Sequence, residues 1–148
     1  MGPGSNHAYY LLNTDGGLAP GGAPRRAGDP PGIAAISALL RTTKLATIAE
    51  LAETIGPATH NEAEYRGLIK GLTLAREHHV ERIRVYMDSE LVVDQMNGMS
   101  AVRQAHLNDL YEIAQGMKNE FASFRISWVP REMNVEADRL CRTAFRAV

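Results

Sequence analysis

Two spacings of hydrophobic residues alternate along most of this chain, one typical of strands and the other of helices. The order of these segments limits the folds that the chain can adopt. Residues 82–87 place Ile83, Val85 and Met87 at every second position, as in a half-buried strand. Residues 61–79 instead repeat their apolar side chains every three or four positions, as in an amphipathic helix. The predicted strands are 7–15, 32–40, 44–55, 82–87 and 124–129, and the predicted helices are 61–79, 89–96, 103–121 and 134–148. This order predicts an α/β fold in which helices flank a mixed five-stranded sheet.

Two segments are less clearly defined by their residues. The segment 44–55 is predicted as a strand, but its AELAET portion also suits a helix, and the pattern leaves both open. Residues 16–32 contain six glycines and four prolines, which predicts a loop.

The composition is that of a globular domain. Hydrophobic residues make up 45% and charged residues 22% of the 148, and no apolar stretch approaches the length that spans a membrane. A single cysteine, Cys141, rules out an internal disulfide and a cysteine-based zinc site, which suits a reducing cytoplasm. Cys141 lies among regularly spaced apolar residues and is predicted to be a core residue. Residues 1–6 are interpreted as a cloning-derived tail and residues 7–148 as one domain, which we expect to be a monomer.

Three acidic residues lie where predicted strands end or helices begin. Asp15 ends the first strand, Asp88 ends the fourth, and Asp138 lies in the first turn of the last helix. The carboxyl ends of strands in such sheets are a common place for ligands. Asp88 has a structural alternative, because it would also help to cap the helix that follows it.

The fourth acidic candidate is either Glu62 or Glu64. Thr59 and Glu62 have the spacing of a capping box, which gives Glu62 a structural role. Glu64 lies one residue before Tyr65 and four before Leu68, so it faces the core. Because a buried carboxylate is costly unless it is paired or bound to a cation, Glu64 is the predicted functional residue.

These four acids, if they converge, repel one another, and their pKa values rise. A divalent cation relieves the repulsion, and an all-oxygen site suits magnesium or manganese. Two such ions can clamp a phosphodiester and activate water for attack. Asp15, Glu64, Asp88 and Asp138 are therefore the predicted catalytic and metal-binding residues.

Four separated strings resemble the motifs of type I ribonuclease H along nearly the whole chain. The strings are NTDGG (13–17), THNEAEYRGLIKGL (59–72), VYMDSELVVDQMNG (85–98) and WVPREMNVEADRL (128–140). The resemblance implies a ribonuclease H fold, whose five-stranded sheet has its first three strands antiparallel. It also implies an endonuclease that cuts the RNA strand of RNA/DNA hybrids, with two magnesium ions in the loaded site.

The resemblance implies a role for each acid as well. Asp15 would bridge both ions, whereas Glu64 and Asp88 would favour the ion near the leaving oxygen. Asp138 would favour the ion that holds the attacking water.

Substrate contacts are also implied by the resemblance. Asn61 matches an asparagine that contacts bases in the minor groove, and Thr59 matches a threonine near a DNA phosphate. The backbone at Gly16 and Gly17 would approach the RNA closely, where the 2′-hydroxyls distinguish RNA from DNA. Arg131 is the fifth predicted substrate-binding residue.

Three features depart from the family pattern. The loop GLAPGGAPRRAGDPPG is longer than usual, and the stretch 99–106 has only one basic residue besides its histidine where many relatives carry a basic protrusion. The segment 130–134 lacks the histidine of the best-known relatives, so Arg131 or Glu132 would take its place. With a net charge of −1, we therefore expect loose substrate binding.

Two aromatic residues near the motifs have structural interpretations. His60 is expected to serve solvation or the helix dipole rather than metal binding. Trp128 is expected to anchor the core beside the site.

Two further functions stay open beside hybrid cleavage. One is a nuclease of the same fold that acts on another nucleic acid, and the other is a non-catalytic module that binds hybrids. Binding alone would not require a buried Glu64 or four converging acids, which favours the enzyme.

Overall fold

A computed structural model describes residues 8–20 and 32–146. Within these ranges the chain forms a five-stranded sheet with helices on both faces. The strands are β1 (Tyr10–Leu18), β2 (Gly32–Thr42), β3 (Thr47–Ala58), β4 (Arg82–Met87) and β5 (Ser123–Trp128). The helices are α1 (His60–Glu77), α2 (Glu90–Met96), α3 (Ala105–Lys118) and α4 (Val135–Arg146), with a 3-10 turn at Arg131–Met133.

The strand order is β3-β2-β1-β4-β5. β1, β2 and β3 pair antiparallel, whereas β4 is parallel to both β1 and β5. The predicted α/β class and the antiparallel first three strands are confirmed. None of the helices in the described part of the chain is long and apolar enough to cross a membrane.

The first strand continues further than the sequence predicts. Gly16 and Gly17 were expected to open a loop, but they pair with Ile36 and Ala35 of β2. Asp15 therefore lies inside β1 rather than at its end, because the hydrogen bonds to β2 hold the glycines extended. The ambiguous segment 44–55 is resolved as a strand, since β3 begins at Thr47. The central part of the predicted loop, residues 21–31, and the tail 1–6 lie outside the described residues.

The core is divided between the two faces of the sheet. The larger cluster joins α1, α2 and α3 to residues of β1, β2, β4 and β5. On the other face, Cys141 and Ala144 of α4 pack against Ala35 of β2, which confirms Cys141 as a core residue. The two faces thus carry different helices, and α1 and α4 approach β1 from opposite sides.

Helix α1 packs closely on β1 because glycines lie at the contact between them. A Cβ atom at Gly67 would lie 2.6 Å from the carbonyl oxygen of Asp15, and one at Gly71 would lie 2.7 Å from Cγ2 of Thr14. On the strand side, a Cβ at Gly16 would collide with the backbone of Ala63. The absence of side chains at these positions lets the helix bring its carboxylate-bearing face against Asp15.

Gly67→Ala is expected to destabilise the protein by about 1–3 kcal/mol, because the added methyl group meets a rigid carbonyl oxygen. Gly116→Ala is the matched control, since Gly116 is an exposed residue of α3 at which an added Cβ would meet no atom within 4 Å. That control should be neutral or stabilise by up to about 1 kcal/mol through helix propensity. Urea denaturation of both variants checks the prediction, and equal effects would contradict the close packing of α1.

Candidate active site

The sheet register brings two acidic residues to the same level. Asn13 of β1 lies opposite Tyr86 of β4, so Asp15 and Asp88, each two residues further on, come side by side. Asp88 follows the last residue of β4 directly. The hydroxyl of Ser89, not Asp88, caps α2 by accepting a hydrogen bond from the Val92 N–H at 3.3 Å. A capping role for Asp88 is therefore not needed to explain the start of α2.

The two glutamates of α1 have different environments. Glu62 accepts a hydrogen bond from the Thr59 N–H at 2.8 Å, while the Thr59 hydroxyl accepts from the Glu62 N–H at 3.2 Å. This confirms the predicted capping box. Glu64 is only 2% exposed, and its Oε1 accepts a hydrogen bond from the Gly16 N–H at 2.9 Å. The buried glutamate is thus fixed to the strand that carries Asp15.

Asp15, Glu64 and Asp88 form a cluster in which each offers a carboxylate oxygen within 4.8 Å of the others. Burial, followed by the charges of Glu64 and Asp88, raises the pKa of Asp15 from 3.8 to about 9. Burial also raises the pKa values of Glu64 and Asp88. Three carboxylates with raised pKa values and only oxygen donors fit a divalent cation, which would offset their mutual repulsion.

Asp138 lies beside this cluster rather than within it. It is in the first turn of α4, and its Oδ2 forms an ion pair with Nη2 of Arg142 at 3.1 Å. Its charge nevertheless contributes to the raised pKa values of both Asp15 and Asp88. The structure thus brings three of the four predicted acids together and holds the fourth close by.

A buried asparagine that the sequence analysis did not identify connects Asp138 to β1. Asn134 is fully buried; its Nδ2 donates to the Thr14 carbonyl at 3.0 Å, and its Oδ1 accepts from Nδ2 of Asn13 at 3.0 Å. The Asn134 carbonyl also accepts from the Asp138 N–H at 3.1 Å. This residue therefore ties the start of α4 to the strand that carries Asp15. An asparagine at the first position of the predicted helix 134–148 was the available signal.

His60 and Arg131 each interact with a carboxylate of the cluster. Nε2 of His60 is 3.6 Å from Oε2 of Glu64, and its interaction with this carboxylate raises the pKa of His60. The expectation that His60 serves only solvation or the helix dipole was too narrow, because its position four residues before Glu64 puts both on one face of α1. The Arg131 guanidinium lowers the pKa of Asp88, although burial outweighs it, so a positive charge lies close to the acids.

The other predicted substrate-binding residues surround the cluster. Gly16 is buried and its N–H is bonded to Glu64, so packing against α1 already explains that glycine. A Cβ at Gly17 would meet no atom within 4 Å. Thr59 and Asn61 are half-buried at the start of α1. Their contacts with nucleic acid stay predictions.

Trp128, at the end of edge strand β5, is 48% exposed. The expectation that it anchors the core is therefore wrong.

Without divalent cations, the stability of the protein should fall as the pH rises toward 9. The folded state binds a proton on Asp15 more tightly than the unfolded state, since the pKa rises from 3.8 to about 9 on folding. The resulting stabilisation is complete below pH ~4 and is lost as the pH rises through ~9. Thermal melts in chelator should therefore decline with pH more steeply for the parent than for Asp15→Asn. Parallel pH profiles would show that Asp15 ionises normally in the folded protein.

Comparisons with known proteins agree with this fold. The reverse transcriptase-like family matches residues 27–144. The bifunctional protein Rv2228c of Mycobacterium tuberculosis is 43% identical over 118 residues, covering 79% of this chain and 32% of that protein. Ribonuclease HI of Halobacterium salinarum is 34% identical over 115 residues, covering 78% of this chain and 58% of that protein. This chain thus spans about a third of the mycobacterial relative and just over half of the archaeal one.

Two solved structures are similar over nearly the whole chain. The N-terminal RNase H domain of Rv2228c, fused to maltose-binding protein, has a TM-score of 0.83 and 38% identity, with 95% of both chains covered. LC11-RNase H1 in complex with an RNA/DNA hybrid has a TM-score of 0.80 and 30% identity, with 93% of this chain and 97% of that chain covered.

Proposed function

Since this chain belongs to the type I ribonuclease H family, we propose that it hydrolyses the RNA strand of RNA/DNA hybrids, leaving 3′-hydroxyl and 5′-phosphate ends. The observation that carries the proposal is the cluster of Asp15, Glu64 and Asp88, whose carboxylates lie within 4.8 Å of one another. A relative with 30% identity is in complex with an RNA/DNA hybrid, which supports this choice of substrate.

The cofactor in this proposal is magnesium or manganese, with two ions in the substrate-loaded site. Asp15, Glu64 and Asp88 would hold one ion between them, and Asp138 would join Asp15 in holding the second. The donor set supports the assignment, because carboxylate oxygens are the ligands that these cations prefer. When bound, the ions supply Lewis-acid polarisation of the phosphodiester and a nucleophilic water at neutral pH.

The protein's own residues orient this chemistry. The Gly16 N–H holds Oε1 of Glu64, while Oε2 lies 3.6 Å from Nε2 of His60. Asn134 fixes the start of α4 and with it Asp138 relative to β1. Arg131 would attract a phosphate of the substrate toward Asp88, since its guanidinium lies close to that carboxylate.

Gly17, Thr59 and Asn61 are proposed to contact the hybrid on either side of the scissile phosphate, with the backbone at Gly16 beneath it. Their arrangement supports this, because β1 and the N-terminus of α1 adjoin the carboxylate cluster. We also propose that the protein acts as a monomer in the cytoplasm, a location suited to its single buried thiol.

Labelled RNA/DNA hybrid, duplex RNA and duplex DNA, each incubated with and without magnesium, test the proposal. Cleavage of the RNA strand in the hybrid alone, and only with the cation, is the expected result. Cleavage of duplex RNA or DNA at a similar rate would instead indicate a nuclease with a different substrate. Hybrid binding without cleavage in either magnesium or manganese would indicate a non-catalytic binding module.

A further inference from the structure

Arginines gather on the sheet face opposite to α1, α2 and α3. Arg82 and Arg84 occupy alternate positions of β4, and Arg125 of β5 lies opposite Arg84. Tyr9, just before β1, lies on the same face, and its ring contacts both β4 arginines. We call Tyr9, Arg82, Arg84 and Arg125 the arginine face.

The arginine face lies beyond the strands that α4 covers, and it is accessible to solvent. Helix α4 packs against β1, β2 and β3, and its core cluster draws on β2 and β3 but not on β4 or β5. Arg125 is exposed and Arg82 and Arg84 are half-buried. On the opposite face of the same strands, Ile83 and Val85 are completely buried.

The guanidinium groups of this face have no carboxylate partner among the described residues. The ion pairs of the described chain join His60 to Glu64, Lys70 to Glu53 and Arg142 to Asp138. Instead, Arg82 and Arg84 lie over the Tyr9 ring at 4.9 and 4.1 Å from its centroid. The Nε atoms of both are buried without a hydrogen-bond partner.

The Tyr9 hydroxyl shows how positive this surface is. It accepts a hydrogen bond from Nη2 of Arg82 at 3.2 Å. That bond, together with the influence of the Ser123 hydroxyl and the charge of Arg82, lowers the pKa of Tyr9 to about 8. Arginines without a carboxylate partner among the described residues thus share one face, although the chain has a net charge of −1. A surface with several positive charges favours the binding of an anion that carries several negative charges.

We propose that the arginine face binds the phosphodiester backbone of single-stranded nucleic acid, outside the carboxylate site. Guanidinium forks match phosphate oxygens in pairs, and neighbouring side chains on one face of a strand repeat every ~6.6 Å, which suits a chain of phosphates. The Ser123 and Ser127 hydroxyls alternate with Arg125 along β5 and would donate further hydrogen bonds. The mixture of cations and tyrosine is typical of surfaces that follow single strands.

The arginine face and the carboxylate cluster are different sites. Arg82 is the first residue of β4 and Asp88 follows its last, a separation of about 20 Å along an extended strand. A single strand that continues from a hybrid would reach from one to the other and raise the local concentration of substrate. The proposal does not depend on cleavage, because it concerns the binding of a strand that the protein does not cut.

The test measures fluorescence anisotropy of a labelled thymidine oligonucleotide of about 20 nucleotides. Arg84→Gln/Arg125→Gln is the test variant, and Lys44→Gln/Arg146→Gln is the control, since it removes the same charge from exposed positions elsewhere. The test variant should bind at least about tenfold more weakly than the parent, with a log–log salt slope lower by about 1.4, or ~0.7 for each lost phosphate contact. The control should stay within about twofold of the parent.

Two further measurements keep the result interpretable. The first is binding by Arg125→Gln alone: because this variant removes an exposed side chain, weaker binding by it cannot come from misfolding. The second is cleavage of a short blunt hybrid at saturation, which should be as fast for this variant as for the parent. Unchanged binding by the double and single variants would overturn the proposal. Equal losses in the test and control variants would overturn it as well, because they would indicate a general charge effect. Displacement of the oligonucleotide by polyglutamate at equal charge would assign the face to acidic protein segments instead.

Discussion

Asp88→Asn is expected to reduce hybrid cleavage by at least about a thousandfold, or ~4 kcal/mol of transition-state stabilisation, while the fold stays intact. Asp88 directly follows β4 and is one of three carboxylates within 4.8 Å of one another. The substitution keeps the shape of the side chain but removes the charge that a cation would need. Because burial and Asp138 raise the pKa of Asp88, removing its charge also relieves repulsion in the metal-free protein.

Two measurements check this prediction together. Single-turnover cleavage of hybrid in magnesium gives the activity, and thermal melts in chelator should show a melting temperature equal to or above that of the parent. Glu90→Gln is the matched control, since Glu90 is an exposed acid two residues further on. Its cleavage rate should be close to that of the parent. Near-parental cleavage by Asp88→Asn would refute the assignment of the active site.

The two glutamates of α1 should give opposite outcomes when each is replaced by glutamine. Glu64→Gln retains an oxygen that can accept the hydrogen bond of the Gly16 N–H, so the packing of α1 on β1 should survive. It removes a buried charge from the cluster, and cleavage should fall at least about a thousandfold. Glu62→Gln retains the capping box with Thr59, which glutamine also forms, and should cost at most about 1 kcal/mol of stability.

Steady-state cleavage and urea denaturation of both variants separate the two roles. Glu64→Gln should keep or gain stability in chelator while it loses activity, and Glu62→Gln should keep its activity. Similar activity losses in the two variants would contradict the distinction between the capping glutamate and the buried one. A large loss of stability in Glu64→Gln would show that its charge, rather than its hydrogen bond, holds α1 in place.

Local residue patterns were enough to predict the types of the elements and several of their ends. Apolar periods are local properties, so β4 and α1 were predicted close to their observed bounds. The predicted capping box of Thr59 and Glu62 also depends on residues three positions apart, and it is present. The buried orientation of Glu64 followed from its place on the helix, for the same reason.

The way in which distant segments meet depends instead on tertiary packing. Gly16 and Gly17 belong to β1 only because β2 pairs with them, and Gly16 bonds to Glu64 across 48 positions of sequence. Asn134 reaches Asn13 across 121 positions, and no local pattern specifies that contact. The arginine face likewise needs the register of two strands that are separated by α2 and α3. Such contacts depend on which surfaces pack together, so periodicity predicts the elements, whereas the register of the sheet and the close approach of α1 create the site.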